Sequence, residues 1–137
     1  METLEKSLSI GQTIGEVRKF HDAFGISNAT ELTSELTEQE ALLRFNLMKE
    51  ENEEYLDACK DNDIVEIADA LGDQLYILCG TILKHGLQHK IEEVFLEIQR
   101  SNMSKLGADG KPIYREDGKV LKGENYFRPN IKAILEA

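Results

Sequence analysis

The spacing of apolar residues along the chain predicts helices and little else. Ile14, Val17, Phe20, Ala23 and Phe24 recur at helical intervals before Gly25, so a short first helix is expected over 14–24. Residues 26–38, rich in Ser, Thr and Asn, read as a loop, and Thr37 with Glu40 has the spacing of a capping box for a long second helix over 38–59. Asp61-Asn62-Asp63 interrupts the pattern; either Asn62 or Asp63 is placed to cap a third helix over 64–85, closed by Gly86. A fourth helix over 89–105 carries Ile91, Val94, Phe95 and Ile98 on one face and stops before Gly107. After it, the turn signals Asp109-Gly110, Asp117-Gly118 and Gly123 predict a small hairpin or ordered loop, then a helical turn around 131–136. The expected fold is all-α, a four-helix bundle-like core with a short irregular or hairpin C-terminal tail. Without repeats or a low-complexity linker, the 137 residues are expected to form a single domain, 1–137.

The third helix changes this picture from architecture to chemistry. Its apolar residues cover nearly the whole circumference, which predicts burial on almost all sides, and in so small a chain predicts that a second subunit covers part of it. Yet Glu66, Asp69 and Asp73, spaced by three and four residues, fall together in one sector. Stacked carboxylates on a core helix repel one another and are costly to desolvate. They persist if protonated, if paired with basic groups, or if a divalent cation binds. Arg44, Lys49, Lys60 and Lys84 are the only basic side chains from Thr37 to Lys84, which favours a hard cation with oxygen ligands. On the second helix Glu51 and Glu54 share the apolar sector of Leu43, Leu47 and Ala58; Glu50 stands at its edge, and Glu53 and Asp57 point to the polar side. An acidic run such as 50–54 alone would be a solvated helix face. Antiparallel packing of the two helices through the turn at 61–63 would instead bring the two acidic sectors face to face.

Composition narrows the partners. Asp and Glu outnumber Lys and Arg by 26 to 16, and the net charge of −10 repels a nucleic-acid backbone, so no nucleic-acid partner is expected. A polyanionic small substrate requires a bridging cation. No apolar run reaches the roughly eighteen residues of a membrane span, and the first residues lack a secretory pattern, so a cytoplasmic protein with no membrane partner is expected. Cys59 and Cys79 lack metal or redox spacing and read as reduced thiols. His21, His85 and His89 read as structural or surface residues.

The run Glu50-Glu51-Asn52-Glu53-Glu54, followed by Glu66-Ile67-Ala68-Asp69 and Asp73, resembles the EExxE and ExxD motifs of the all-α nucleotide pyrophosphatases. That superfamily joins the MazG-type hydrolases, phosphoribosyl-ATP pyrophosphohydrolase and dimeric dUTPases. The first motif maps onto Glu50, Glu51 and Glu54. For the second, Glu66 and Asp69 match the letters, whereas Gly72-Asp73 matches the MazG arrangement better, with Ala70 where an acid is expected. Whether Glu66 or Asp73 completes the motif stays open at this point. Phe20 to Gly25, Gly80 after Tyr76, Ser101 to Lys105 and Asp117 to Gly123 are similar to a phosphoribosyl-ATP pyrophosphohydrolase-like branch of phages and bacteria.

The resemblance implies a Mg²⁺ enzyme, with Mn²⁺ as a substitute, that cleaves a nucleoside triphosphate or related nucleotide to the monophosphate and pyrophosphate. Glu51, Glu54, Asp69 and Asp73, with Glu66, are the implied metal ligands. Glu50 or Glu51 is expected to take the proton of the attacking water, and Asn102, Lys105 and Lys122 to contact the outer phosphates. Phe20 and Tyr126 are candidates for stacking on a base, with core packing the preferred role for Phe20. A homodimer or homotetramer is implied. The competing readings are a metal-binding helical regulatory or interaction protein without turnover, and an acidic interaction module that binds no metal.

Overall fold

The structure, a computed structural model, describes residues 7–137. Its helices are α1 (Ile10–Ala23), α2 (Glu38–Lys60), α3 (Ile64–Lys84), α4 (Ile91–Met103) and α5 (Ile131–Glu136), with a 3₁₀ turn at Leu87–His89. The fold is all-α. The chain folds as two compact units, one ending at His89 and the other spanning Lys90–Ala137. Among the described residues no helix is long and apolar enough to cross a membrane.

In the first unit, helix starts follow capping chemistry. Ser9 caps α1, and its side chain and that of Gln12 bond reciprocally to each other's backbone. The helix therefore begins four residues before the apolar pattern, at Ile10 rather than Ile14. Thr37 and Glu40 form the capping box of α2. Asp63, not Asn62, caps α3 and accepts from the Val65 and Glu66 amides. Asn62 instead takes a left-handed φ of 53°, a conformation asparagine tolerates better than most residues, and this reverses the chain between α2 and α3.

Helices α2 and α3 pack antiparallel through that turn. Arg44 on α2 donates from Nε to Thr81 Oγ1 at 2.9 Å and from Nη2 to the Ile77 carbonyl at 2.7 Å. Lys84 pairs with Glu40 at 3.0 Å, and Gln74 donates to Asn52 at 3.3 Å. The loop after α1 runs along the end of α3 and satisfies carbonyls that the helix leaves open: Ala29 N–H donates to the Leu83 carbonyl and Thr33 N–H to that of His85. Gly86, with φ of 68°, turns the chain there, and a Cβ would run into the Glu31 carbonyl.

Burial of α3 is one-sided, which corrects the expectation that it is covered almost all round. Ala70, Cys79, Ile82 and Leu83 are buried, whereas Ile64 and Val65 are 73% and 71% exposed and Leu71, Leu75 and Leu78 about half exposed. The reason is simple: α1 and α2 cover only one side of α3 within the first unit.

The second unit is organised by a buried acid. Glu97 on α4 accepts from Arg100 Nε at 2.9 Å and from the Asn130 amide at 2.7 Å, and Arg100 also lies over the Phe127 ring. Ser101 donates to the Phe127 carbonyl. The tail forms the expected small hairpin, with one antiparallel bridge between Tyr114 and Val120 and left-handed turns at Gly110 and Gly118.

Candidate active site

The register of α2 against α3 brings the two acidic sectors together. Glu51 is half-buried among them, and its Oε2 is shielded from solvent without any hydrogen-bond partner. Burial raises its pKa first, the adjacent Glu54 carboxyl second, and then the charges of Asp73, Glu54 and Asp69, so that it is pushed up to about 7. Four of the five expected ligands are therefore involved at one carboxyl. Glu66 lies farther toward the turn, where it joins Glu54, Asp57, Asp61, Asp63 and Asp69 in lining an acidic cavity of about 360 Å³. Glu54 and Asp69 are common to both groups.

Asp73 is half-buried and acts directly on Glu51, whereas Glu66 is exposed. Among the described residues no three side chains are arranged as a ready metal cage, and like charges at this range favour rotamers that spread apart. The donor set is nonetheless suited to a hard divalent cation: carboxylate oxygens only, one of them buried and unpartnered.

Several residues fall elsewhere than expected. Asp57, read as pointing to the polar side, lines the acidic cavity, because the turn at 61–63 folds back toward its helix face. Asp63 also lines the cavity while its Oδ1 caps α3. Glu50 is exposed. Asn102, Lys105 and Lys122 belong to the second unit: the Gly123 amide donates to the Lys105 carbonyl at 2.8 Å, and Lys122 Nζ lies 4.8 Å from the centre of the Tyr126 ring. Sequence reasoning missed Arg44, whose signal was a single guanidinium beside the apolar positions Leu43 and Leu47.

Residues 17–102 match the family model of phosphoribosyl-ATP pyrophosphohydrolase, more than half of the chain. The chain belongs to the phosphoribosyl-ATP pyrophosphohydrolase family. The matched span contains α2 and α3 whole, and so contains every acid of this site. No curated protein matches the chain. Among solved structures, it is similar to a protein of Exiguobacterium sp. 255-15 provisionally described as an NTP pyrophosphohydrolase, at 26% identity and a TM-score of 0.47, covering 93% of this chain and 92% of that one. As a member of this family of pyrophosphohydrolases, the chain carries its acids on two helices inside the matched region.

Glu51 makes metal-free stability depend on pH. In the unfolded chain it titrates near 4.5 and in the folded chain near 7, so folding takes up a proton between those values. Without divalent cations, stability is expected to fall as pH rises from about 4.5 to about 7 and to level off above. Glu40, Glu97 and Asp117 are held below their ordinary values by Lys84, Arg100 and Arg115, and act with the opposite sign at lower pH. Thermal unfolding in EDTA across this window should show a decline in the parent and a flatter profile in Glu51→Gln. Identical profiles would remove Glu51 as the titrating group.

Proposed function

We propose that this family member is a Mg²⁺-dependent pyrophosphohydrolase that cleaves a nucleoside triphosphate, or a related nucleotide, to the monophosphate and pyrophosphate. The observation that carries the reading is the buried, unpartnered Glu51 oxygen set against Glu54, Asp69 and Asp73. Native structures rarely bury an unpaired carboxylate oxygen among like charges unless a ligand compensates. Glu51, Glu54, Asp69 and Asp73 would hold the ion, with Glu66 at the outer edge; Mn²⁺ suits the same oxygen donors. When bound, the ion supplies charge neutralisation for the phosphate oxygens and acidifies a water molecule. Glu50 and Glu51 are the two glutamates proposed as proton acceptor, and Glu50 stands exposed at the edge of the same sector, outside the carboxyls that would hold the ion.

The apolar face of α2 and α3 supports a homo-oligomer. Leu42, Phe45 and Leu56 on α2 are more than half exposed, as are Ile64 and Val65 on α3. Exposed large apolar residues at this frequency on both helices favour an interface, and a second copy, giving a homodimer or homotetramer, is the occupant we infer. Sedimentation at micromolar concentrations should give a species larger than the monomer; a monomer throughout would remove this inference.

With Mg²⁺ or Mn²⁺ and a panel of nucleotides, the expected primary product is pyrophosphate. Orthophosphate as the sole primary product from every triphosphate would overturn the proposal. Glu54→Gln is expected to lower turnover by more than about a hundredfold, beyond the usual loss for an outer-shell residue, while Glu53→Gln stays near the parent. Equal losses at both positions would remove the assignment of faces on α2.

Ligand linkage gives an independent measurement. A cation held only by the folded state raises stability by RT ln(1 + [L]/Kd), about 2.7 kcal/mol at a hundredfold excess over Kd. The parent midpoint should rise in excess Mg²⁺ and that of Asp73→Asn far less, whereas in EDTA Asp73→Asn should be at least as stable as the parent because one repelling charge is gone. A parent midpoint indifferent to Mg²⁺, or collapse of Asp73→Asn in EDTA, would make Asp73 structural.

A further inference from the structure

A second cavity, of about 430 Å³, opens between α1, α2 and α3. Its volume lies within the range of small-molecule sites, and its wall is apolar and aromatic with few polar groups, as such sites are. It follows the acids along the same seam: Leu47 stands one turn before Glu51 on α2, and Tyr76 follows Asp73 by three residues on α3. One helical turn advances about 5.4 Å, so a ligand with phosphates at the carboxylates would bring its next few atoms to this cavity.

Of the four charged or ionisable residues in the wall besides Tyr76, Glu40 and Lys84 are paired with each other, whereas Arg44 and His21 have free valences of definite kind. Arg44 is half-buried and has no carboxylate partner among the described residues. Its Nε and Nη2 bond to Thr81 and Ile77, and Nη1 makes no hydrogen bond to a described residue. Asn28 donates from its amide nitrogen to Asp22 at 3.4 Å, so its Oδ1 faces His21 Nδ1 at 2.6 Å. An amide oxygen only accepts; Nδ1 therefore carries a proton, and with that single proton on the ring Nε2 is an acceptor. Both groups converge on Gly80, where an added Cβ would lie 2.6 Å from Arg44 Nη2 and 3.0 Å from His21 Nε2. The missing side chain leaves a donor and an acceptor side by side. At the same cavity Phe20 and Tyr76 pack edge to face at 5.6 Å and Phe24 lies 4.5 Å from the Phe20 ring, yet Phe20 and Tyr76 each stay about two-fifths exposed as residues.

We propose that this cavity is the nucleobase subsite of the protein, where the ring of the base packs against Phe20 and Tyr76 and its edge is read by the Arg44 donors and His21 Nε2. An aliphatic ligand would leave Arg44 and His21 unused, and a bare anion would gain nothing from the two rings. A heterocycle with adjacent donor and acceptor groups uses all four residues, and stacking on an aromatic ring is tolerant of base identity. The proposal assigns the base end of the nucleotide substrate argued above and rests on that reading for the phosphates, but base binding itself needs neither phosphate nor cation.

The test is a calorimetric titration of the full chain in EDTA with adenosine, guanosine, cytidine, uridine and thymidine, each up to millimolar concentration. At least one is expected to bind saturably, one per chain. Phe20→Ala and Arg44→Gln should each weaken that binding by about tenfold, the scale of one stacking contact. Met48 lines a separate cavity that Arg44 also borders, and Met48→Ala should leave binding unchanged. Should Arg44→Gln not fold, because Arg44 ties α2 to α3, the half-exposed Phe20 decides alone. Absence of saturable binding by all of these nucleosides, or an equal loss in Met48→Ala and Phe20→Ala, overturns the proposal. Nucleoside binding with the expected variant pattern, alongside no hydrolysis of any nucleotide, would keep the subsite and remove the proposed hydrolase function.

Discussion

Two long helices joined by a three-residue turn have almost no freedom in how their faces meet, and in this chain three cross-links hold one register: Glu40 to Lys84, Arg44 to Thr81 and Asn52 to Gln74. The same register sets Glu51 and Glu54 against Asp69 and Asp73, and places Leu47 beside Tyr76. Arg44 is central to it. A guanidinium is costly to desolvate, and burial lowers its pKa, but two hydrogen bonds to α3 offset part of that cost. The acidic site and the apolar cavity are thus consequences of one helix pairing.

The acids illustrate a conflict between folding and function. Packing alone would put apolar residues at 51 and 73, since both positions lie at the buried edge of the seam. Instead the chain keeps four carboxyls in mutual repulsion, with one oxygen of Glu51 shielded and unpartnered. Positions where a sequence departs from local consistency are where function is expected.

How much of this was legible depended on whether a feature is local. Thr37 with Glu40 and Gly86 announce helix ends through chemistry confined to a few residues and appear as read, and of the alternatives Asn62 and Asp63 the second is the cap. The start of α1 was hidden by Gly11, Thr13 and Gly15, poor helix formers that mask the capping box at Ser9 and Gln12. Glu51, Glu54, Asp69 and Asp73 were legible because helical periodicity alone assigns their faces and the short turn does the rest. Asp57 was misread because its surroundings depend on how the turn folds back. Arg44 was missed because its partners lie more than thirty residues away. The apolar circumference of α3 was read as burial on almost all sides, but periodicity does not say what a neighbour covers, and within the first unit several of these residues are exposed.

Asn62, at the apex between α2 and α3, has a consequence for how this chain can change over generations. The reversal is made by a single left-handed residue next to a capping aspartate, so the turn holds no spare length. A substitution in either helix alters one contact and leaves its neighbours where they were. One residue added between Glu54 and Asp61 would instead rotate everything before it by about 100° relative to the turn, carrying Glu51 and Glu54 to the outside and Arg44 away from its partners together. The segment is open to variation in letters and closed to variation in length.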